Sequence, residues 1–452
     1  MPLRVLWANN MKTPICDFVK DYADSNALKL HMPGHKGKRF LGFEEFDITE
    51  IDGADSLYEA SGIIAESEKN ASELFGCDTY YSTEGSSQCI RAMMYLVSLY
   101  SRNKGEKPYI LAGRNAHKTF SSAVALLDLD VDWIYPDDAQ NYLSCNISAE
   151  NVSEILKKCD KKPTAIYLTS PDYLGNVVDI ASVSKVCHEN GVLLAVDNAH
   201  GAYLKFLIPS KHPIDLGADI CCDSAHKTLP VLTGGAYLHL SDSFANEVGS
   251  QVKNALVLFG STSPSYLILQ SLDKANVYLE NYGERLGEFV SKVNLLKKQL
   301  IDNEYDLYGN EALKITIQTK KYGYLGYDFA KILNEKGIVC EFCDRDFVVL
   351  MLTPEVENMD RVVEIMLSIP KFNSINEKAP SFCELQKRLS IREAVMLPSE
   401  SLLIDSCLGR VVAMPSVGCP PAVPIAVAGE MIDENALECF KYYGINKCNV
   451  IK

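Results

Sequence analysis

The sequence predicts an α/β protein, with a large domain around a mostly parallel sheet and a smaller α+β domain after it. Three observations predict this. Between residues 76 and 225, short apolar runs alternate with helical stretches, the order of strand–helix–strand units. Those runs are continuously apolar, as strands covered on both faces are. Near residue 300 the pattern restarts with fresh strands and a fresh helix, which places a boundary there. A chain of 452 residues has room for two or three domains. Its 47% hydrophobic and 23% charged content is that of a globular protein.

Taken in order, residues 1–58 form a mixed N-terminal segment with a loop-like HMPGHKGKRF at 31–40. A helix runs from Gly62 to a stop at Gly76. The large domain, 59–300, then shows apolar strands at Tyr109–Ala112, Val131–Tyr135, Ala165–Thr169, Val192–Val196 and Ile220–Cys222. Helical stretches separate most of them, at Ser86–Tyr100, His117–Leu127, Ala149–Cys159 and Ile180–Asn190. A long helical region spans Ser265–Leu300. The C-terminal domain, 301–452, offers strands at Leu313–Gln318 and Val348–Leu352 around a helix at Asp328–Lys336. Its proline-rich Cys419–Pro424 run reads as an extended turn, because proline is excluded from helix interiors.

Composition excludes several classes. A formal net charge of −15 disfavours nucleic acid or an anionic membrane as partner. No apolar run approaches the roughly 18 residues of a membrane span, and the N-terminus lacks a leader-like apolar core. Fifteen cysteines without such a leader read as reduced thiols in the cytoplasm. The lone C-x-x-C, Cys340 to Cys343, has no second donor pair at ligand spacing, so no metal is expected.

Four pieces at or near strand ends carry chemistry. Gly85, Ser86 and Ser87 open a helix, where a glycine lets the backbone approach an anion and free N–H groups with hydroxyls hold a phosphate; a plain helix cap is the competing reading. His117 follows the strand ending at Ala112, where an imidazole can stack on a flat ring. Asp197 ends an apolar strand, where a carboxylate can keep a pyridine nitrogen protonated, and small Ala199 leaves space for the ring face. Lys227 follows the next strand in a polar setting, with Ser224 and His226 beside it, and is a Schiff-base candidate. The stretch Ser224-Ala225-His226-Lys227 also matches the S-x-x-K of serine acyl-enzymes formally, but its partner tripeptides are absent and Pro230 disfavours a helix there.

Singly these signals are weak; their order is not. The steps from Gly85 to His117, to Asp197, to Lys227 are 32, 80 and 30 residues, and the order resembles fold type I enzymes that use pyridoxal 5′-phosphate (PLP). More closely, HMPGHKGKRF, DITEIDGADSL, NAHKTF, DNAHGAY, DSAHKTLP and STSPSYLILQSLD resemble signatures of the ornithine/lysine/arginine decarboxylase family, in the family's order. With its PGHKG segment near residue 33, the chain is similar to the short branch without an N-terminal wing domain. The resemblance implies PLP-dependent α-decarboxylation of an amino acid, most simply a basic one, giving an amine or polyamine precursor. It implies that Ser86 and Ser87 bind the phosphate with Ser224 and His226 assisting, that His117 stacks on the ring, and that Asp197 holds the pyridine nitrogen. It gives Lys227 the Schiff base, and Lys227 or His226 the return of a proton. It further implies a homodimer or higher homo-oligomer with shared active sites, to which residues 1–58 contribute and in which Thr262 reaches a phosphate across the interface. Asp52, Asp55 and Glu430 are candidates, by family position, for meeting a cationic substrate side chain.

The chain departs from the family pattern at Pro171–Gly175 and at Cys419–Pro424 with Ala428-Gly429-Glu430, which bears on the substrate pocket. Other readings stay open at this point. Transamination would use Arg392 or Arg410 as a carboxylate clamp; a lyase or a non-catalytic binding protein could use the same fold.

Overall fold

The structure, a computed structural model, describes residues 11–136, 141–381, 384–414 and 422–452. Its centre is a seven-stranded sheet of β1 (Asp78–Ser82), β2 (Tyr109–Gly113), β3 (Asp130–Ile134), β4 (Ala165–Thr169), β5 (Leu193–Asp197), β6 (Ile220–Asp223) and β7 (Ala236–Leu240). The order is β1-β7-β6-β5-β4-β2-β3, and β7 alone runs against the rest. The sequence reading left out β7, whose Ala-Tyr-Leu-His-Leu lacks the flanking helix pattern of a crossover strand.

Strand parity sorts the two faces. Leu193 and Ala195 of β5 pack with Met93 and Phe120, from α3 (Gly85–Asn103) and α4 (Lys118–Leu127). Leu194 and Val196 pack on the other face with Val152 and Val183, from α5 (Ala149–Lys158) and α6 (Ile180–Glu189). Period two therefore turns Asp197 toward the α3–α4 face. On β6, Ile220 and Cys222 face α3–α4 and Cys221 faces away, so Asp223 points away too.

Before the sheet lie α1 (Pro14–Asp24) and α2 (Ile63–Phe75), the latter closed by Gly76 at φ 64°, a left-handed cap that favours glycine. The expected long helical region is two helices, Tyr266–Leu279 and Tyr282–Asp302. They pack in one continuous core with α2 and with the second sheet. That sheet is antiparallel, in the order β10-β11-β9-β8, made of β8 (Leu307–Tyr308), β9 (Lys314–Gln318), β10 (Phe342–Cys343) and β11 (Phe347–Met351). β10 is short and pairs only Phe342 and Cys343 with β11. A last hairpin-like pair joins β12 (Ser399–Leu403) to β13 (Lys447–Ile451). Of the Cys419–Pro424 run, residues 419–421 lie outside the described residues. Among the described residues no helix is long and apolar enough to cross a membrane.

A second departure concerns Ser224–Lys227. Despite Pro230, one helical turn forms, α7 (Ala225–Thr228), because it ends at extended Leu229, just short of the proline.

The C-terminal segment is locked to the large domain by a buried ion pair. The Arg114 guanidinium donates to Glu430 Oε2 at 3.1 Å and to the carbonyls of Pro424 and Ile425 at 2.9 Å each. Glu430 also accepts from the Val427 N–H at 2.7 Å. Removing one partner leaves the other charge buried and uncompensated. Glu430→Ala is expected to cost about 3–5 kcal/mol, read as a lower urea midpoint; an unchanged midpoint would show that the pair contributes nothing.

Candidate active site

The carboxyl ends of β1, β4, β5 and β6 converge on one edge, where open α/β sheets bind ligands. After β1 the chain turns through Thr83 and Glu84 into α3 at Gly85. Gly85 has φ 70°, and its N–H donates to the Gly234 carbonyl at 2.7 Å. A Cβ on Gly234 would stand 2.9 Å from the Thr83 carbonyl oxygen, so two backbones press together here as only glycine permits. The start of a 19-residue helix thereby opens into the cavity, with unpaired N–H groups and a favourable dipole. Ser224 donates to Ser86 at 2.8 Å, and Ser87 and Thr119 hydroxyls lie 3.3 Å apart. Helix start and hydroxyls together make a cup for an anion.

His117 caps α4, its Nδ1 accepting the Thr119 N–H at 3.1 Å. Burial, helped by the charge of Lys227, lowers its pKa to about 4, so the ring is neutral. Asp197 is buried; Oδ2 accepts the Tyr167 hydroxyl at 3.2 Å and Oδ1 the Ala199 N–H at 3.1 Å. Burial raises its pKa, and the ammonium of Lys227 opposes the rise. Lys227, on α7, brings Nζ to 3.0 Å from His200 Nε2 and 5.8 Å from the Tyr173 ring. Burial lowers its pKa below the ordinary lysine range, with Asp197 opposing. That shift favours the neutral amine, which is the nucleophile. His226 Nδ1 lies 2.9 Å from the Gly235 carbonyl, and burial lowers its pKa.

Gly85, Ser86, Ser87, His117, Asp197, Ala199, Ser224, His226 and Lys227 all line one cavity of about 300 Å³. Sequence reasoning gave no role to two further residues here, Tyr173 and His200, whose rings meet at 4.9 Å. His200 lies three residues after Asp197 within the DNAHGAY run, which marked the segment without giving the histidine a role. Its Nδ1 is buried and has no hydrogen-bond partner among the described residues.

The other candidates fall elsewhere. Thr262 is exposed and outside the cavity, beside Ser261, whose N–H donates to Glu84. Asp52 is exposed and does not line the cavity. Asp55 is a helix cap: at φ 66° its carboxylate accepts the N–H groups of Ser56, Ser61, Gly62 and Ile64 ahead of and within α2. Burial pushes its pKa up, but these donors hold it below the ordinary range. Glu430 is bound to Arg114. Within this chain, then, both oxygens of Asp55 are taken up by backbone N–H groups, and Glu430 is engaged through Oε2 by Arg114 and the Val427 N–H.

The fold and this cavity define a PLP-dependent enzyme of fold type I. The family model described as "Orn/Lys/Arg decarboxylase, major domain" matches residues 13–319. An arginine decarboxylase of Bacillus subtilis is 27% identical, over 95% of this chain and 93% of that protein. YaaO, an uncharacterized protein of the same organism, is 29% identical over the same shares. The lysine decarboxylase LdcF of Francisella novicida superposes with a TM-score of 0.81 at 17% identity, over 98% of this chain and 82% of that one. Lysine decarboxylase A of Pseudomonas aeruginosa gives 0.79 at 15%, over 97% and 80%. The chain belongs to the Orn/Lys/Arg decarboxylase family, and it is a PLP-dependent decarboxylase.

The residues present fit that cofactor. There is an anion cup at a helix start, a neutral imidazole, a buried carboxylate that has no strong cation in hydrogen-bond contact, and an amine of lowered pKa.

The histidines make the empty protein acid-sensitive. His117, His200 and His226 all have lowered pKa values when folded. The unfolded chain binds protons that the folded one refuses, so stability is complete above about pH 6.5 and falls toward lower pH. Each histidine contributes a slope of up to about 1.4 kcal/mol per pH unit. The apoprotein's melting temperature should fall between about pH 6.5 and pH 4, less steeply in His117→Gln; equal slopes in the two proteins would refute the assignment to His117.

Proposed function

We propose that this chain removes the α-carboxyl group of a basic amino acid, lysine, ornithine or arginine, with Lys227 holding PLP as a Schiff base. The product would be the corresponding amine, a polyamine precursor. The observation that carries the reading is the Lys227 amine, 3.0 Å from the His200 imidazole, opening on the cavity whose floor holds Asp197.

When bound, PLP supplies the electron sink that accepts the pair left behind by departing carbon dioxide. The chain's own residues do the rest. Ser86, Ser87, Ser224 and the first N–H groups of α3 hold the phosphate, with His226 alongside. Neutral His117, which lines the cavity, would stack on the ring without adding charge. Asp197 keeps the ring nitrogen protonated, a role suited to a carboxylate kept out of water. Lys227 serves as nucleophile in its neutral form, and His200 Nε2 is the nearest base to take or return the proton at Nζ. Lys227 or His226 then delivers a proton to the α-carbon. Transamination finds less support: Arg392 donates to the carbonyls of Ala125 and Leu126, and Arg410 to Glu400 and the Ile451 carbonyl.

A cationic side chain needs an anion, and Glu341, exposed like Asp52 and outside the cavity's lining, is an acid close enough to Lys227 for their charges to interact. It precedes β10, its N–H donates to the Val349 carbonyl at 3.0 Å, and its neighbour Phe342 packs on Tyr173 of the cavity wall. Burial raises its pKa, with Lys227 and Lys314 opposing, which places all three within electrostatic reach. Among the described residues no hydrogen bond or salt bridge engages its carboxylate.

A homodimer is part of the proposal, as is a place in the cytoplasm. Leu28, Leu30, Phe40 and Leu41 are each more than three-quarters exposed within one short N-terminal segment, apolar surface that a second copy of the chain would cover. Sharing of the active sites, through Thr262, belongs to the same reading.

Two experiments test the function. Borohydride reduction of the PLP-loaded protein should place the pyridoxyl label on Lys227; a label on another lysine would refute the site. Carbon dioxide release should appear with at least one of lysine, ornithine and arginine. Glu341→Gln should then raise KM for that substrate about tenfold, roughly 1.4 kcal/mol, while PLP affinity stays unchanged. An unchanged KM removes Glu341 from the pocket.

A further inference from the structure

The turn from Asp197 to Gly201 sends three side chains into the cavity, those of Asp197, Ala199 and His200. The fourth, Asn198, is completely buried and goes the other way. Its Nδ2 donates to Asp223 Oδ1 at 2.7 Å. Its Oδ1 occupies space so close to Gly201 that a Cβ there would come within 2.0 Å, so the turn is wrapped tightly around this amide.

Asp223 is itself held. Its Oδ2 lies 3.2 Å from His212 Nε2 and 3.2 Å from His239 Nε2, and all three side chains are fully buried. The two imidazoles stand nearly perpendicular, at 87°, so each edge meets the same oxygen from its own direction. Burial pushes the Asp223 pKa up, but the imidazoles outweigh burial and keep the group well below the ordinary range. His239 reaches on to Thr79 on β1, with Nδ1 3.0 Å from Oγ1. The network thus joins β1, β6, β7 and the turn after β5, on the face of the sheet away from the cavity. Hydrogen bonds to a charged acceptor are the strong ones, and a dry site strengthens them further.

We propose that Asn198 and Asp223, clamped by His212 and His239, are positioning residues that set the Asp197–His200 turn and thereby the ring-nitrogen carboxylate and the imidazole beside Lys227. This rests on the PLP reading given above. The same cluster has the donor types of a metal centre, but both Nε2 atoms are placed for hydrogen bonds to one carboxylate oxygen, and all three side chains are sealed from solvent.

The test uses the full chain with Asn198→Ala, Asp223→Asn and the double variant. Each apoprotein is titrated with PLP, and the bound cofactor's absorbance is followed against pH. Circular dichroism checks folding, and Asn198→Ala, which keeps the Asp223 charge and both imidazoles, is the milder change. Each single variant should weaken PLP binding about tenfold and move the midpoint of the absorbance change by about half a pH unit. The double variant should be no worse than the worse single, because the two residues act as one unit. Wild-type affinity and midpoint in folded Asn198→Ala would overturn the proposal, as would additive losses. So would one equivalent of bound transition metal in the purified wild-type protein. A wild-type protein that takes up no PLP would instead overturn the functional reading on which the proposal rests.

Discussion

The electrostatic opposition of Asp197 and Lys227 across one cavity governs the rest of the site. Each is removed from water, each is shifted toward its neutral form by burial, and each restrains the shift of the other. A cationic group held beside Asp197 would relieve the cost of burying its carboxylate. Burial, helped by the charge of Lys227, lowers the pKa values of His117 and His200 as well.

Much of this was legible in the sequence, because it depends on local rules. Apolar runs of three to five residues marked β2 to β6, and the residue just past several of them was polar and chemically apt. Asp197 and Lys227 needed no knowledge of packing beyond the end of a buried strand. β7 escaped because it returns antiparallel without a crossover helix. The turn of α7 escaped because the rule for a residue before proline acts on Leu229, not on the four residues ahead of it. His200 escaped because its partner is 27 residues away in sequence and meets it only across two strand ends.

The acids show where local reasoning stops. Asp55 and Glu430 have the charge expected of a substrate partner, yet each is consumed by long-range or backbone contacts that no spacing reveals. Glu341 sits inside the Cys340–Cys343 run, which gave the glutamate itself no role. What distinguishes it is an absence of partners close to the site, a property that exists only after the second sheet has docked against the first.

Strand parity has a wider consequence. Asp197 and Asp223 are both buried carboxylates at the ends of adjacent strands, yet one faces the cavity and the other two imidazoles. Period two alone assigns them. Inserting or deleting a single residue within β5 or β6 would invert that assignment while leaving composition, hydrophobicity and net charge almost untouched. Over these few residues the protein tolerates exchange of one apolar side chain for another far better than any change of length. In related chains, insertions and deletions should therefore gather in the connecting loops and stay out of these two strands.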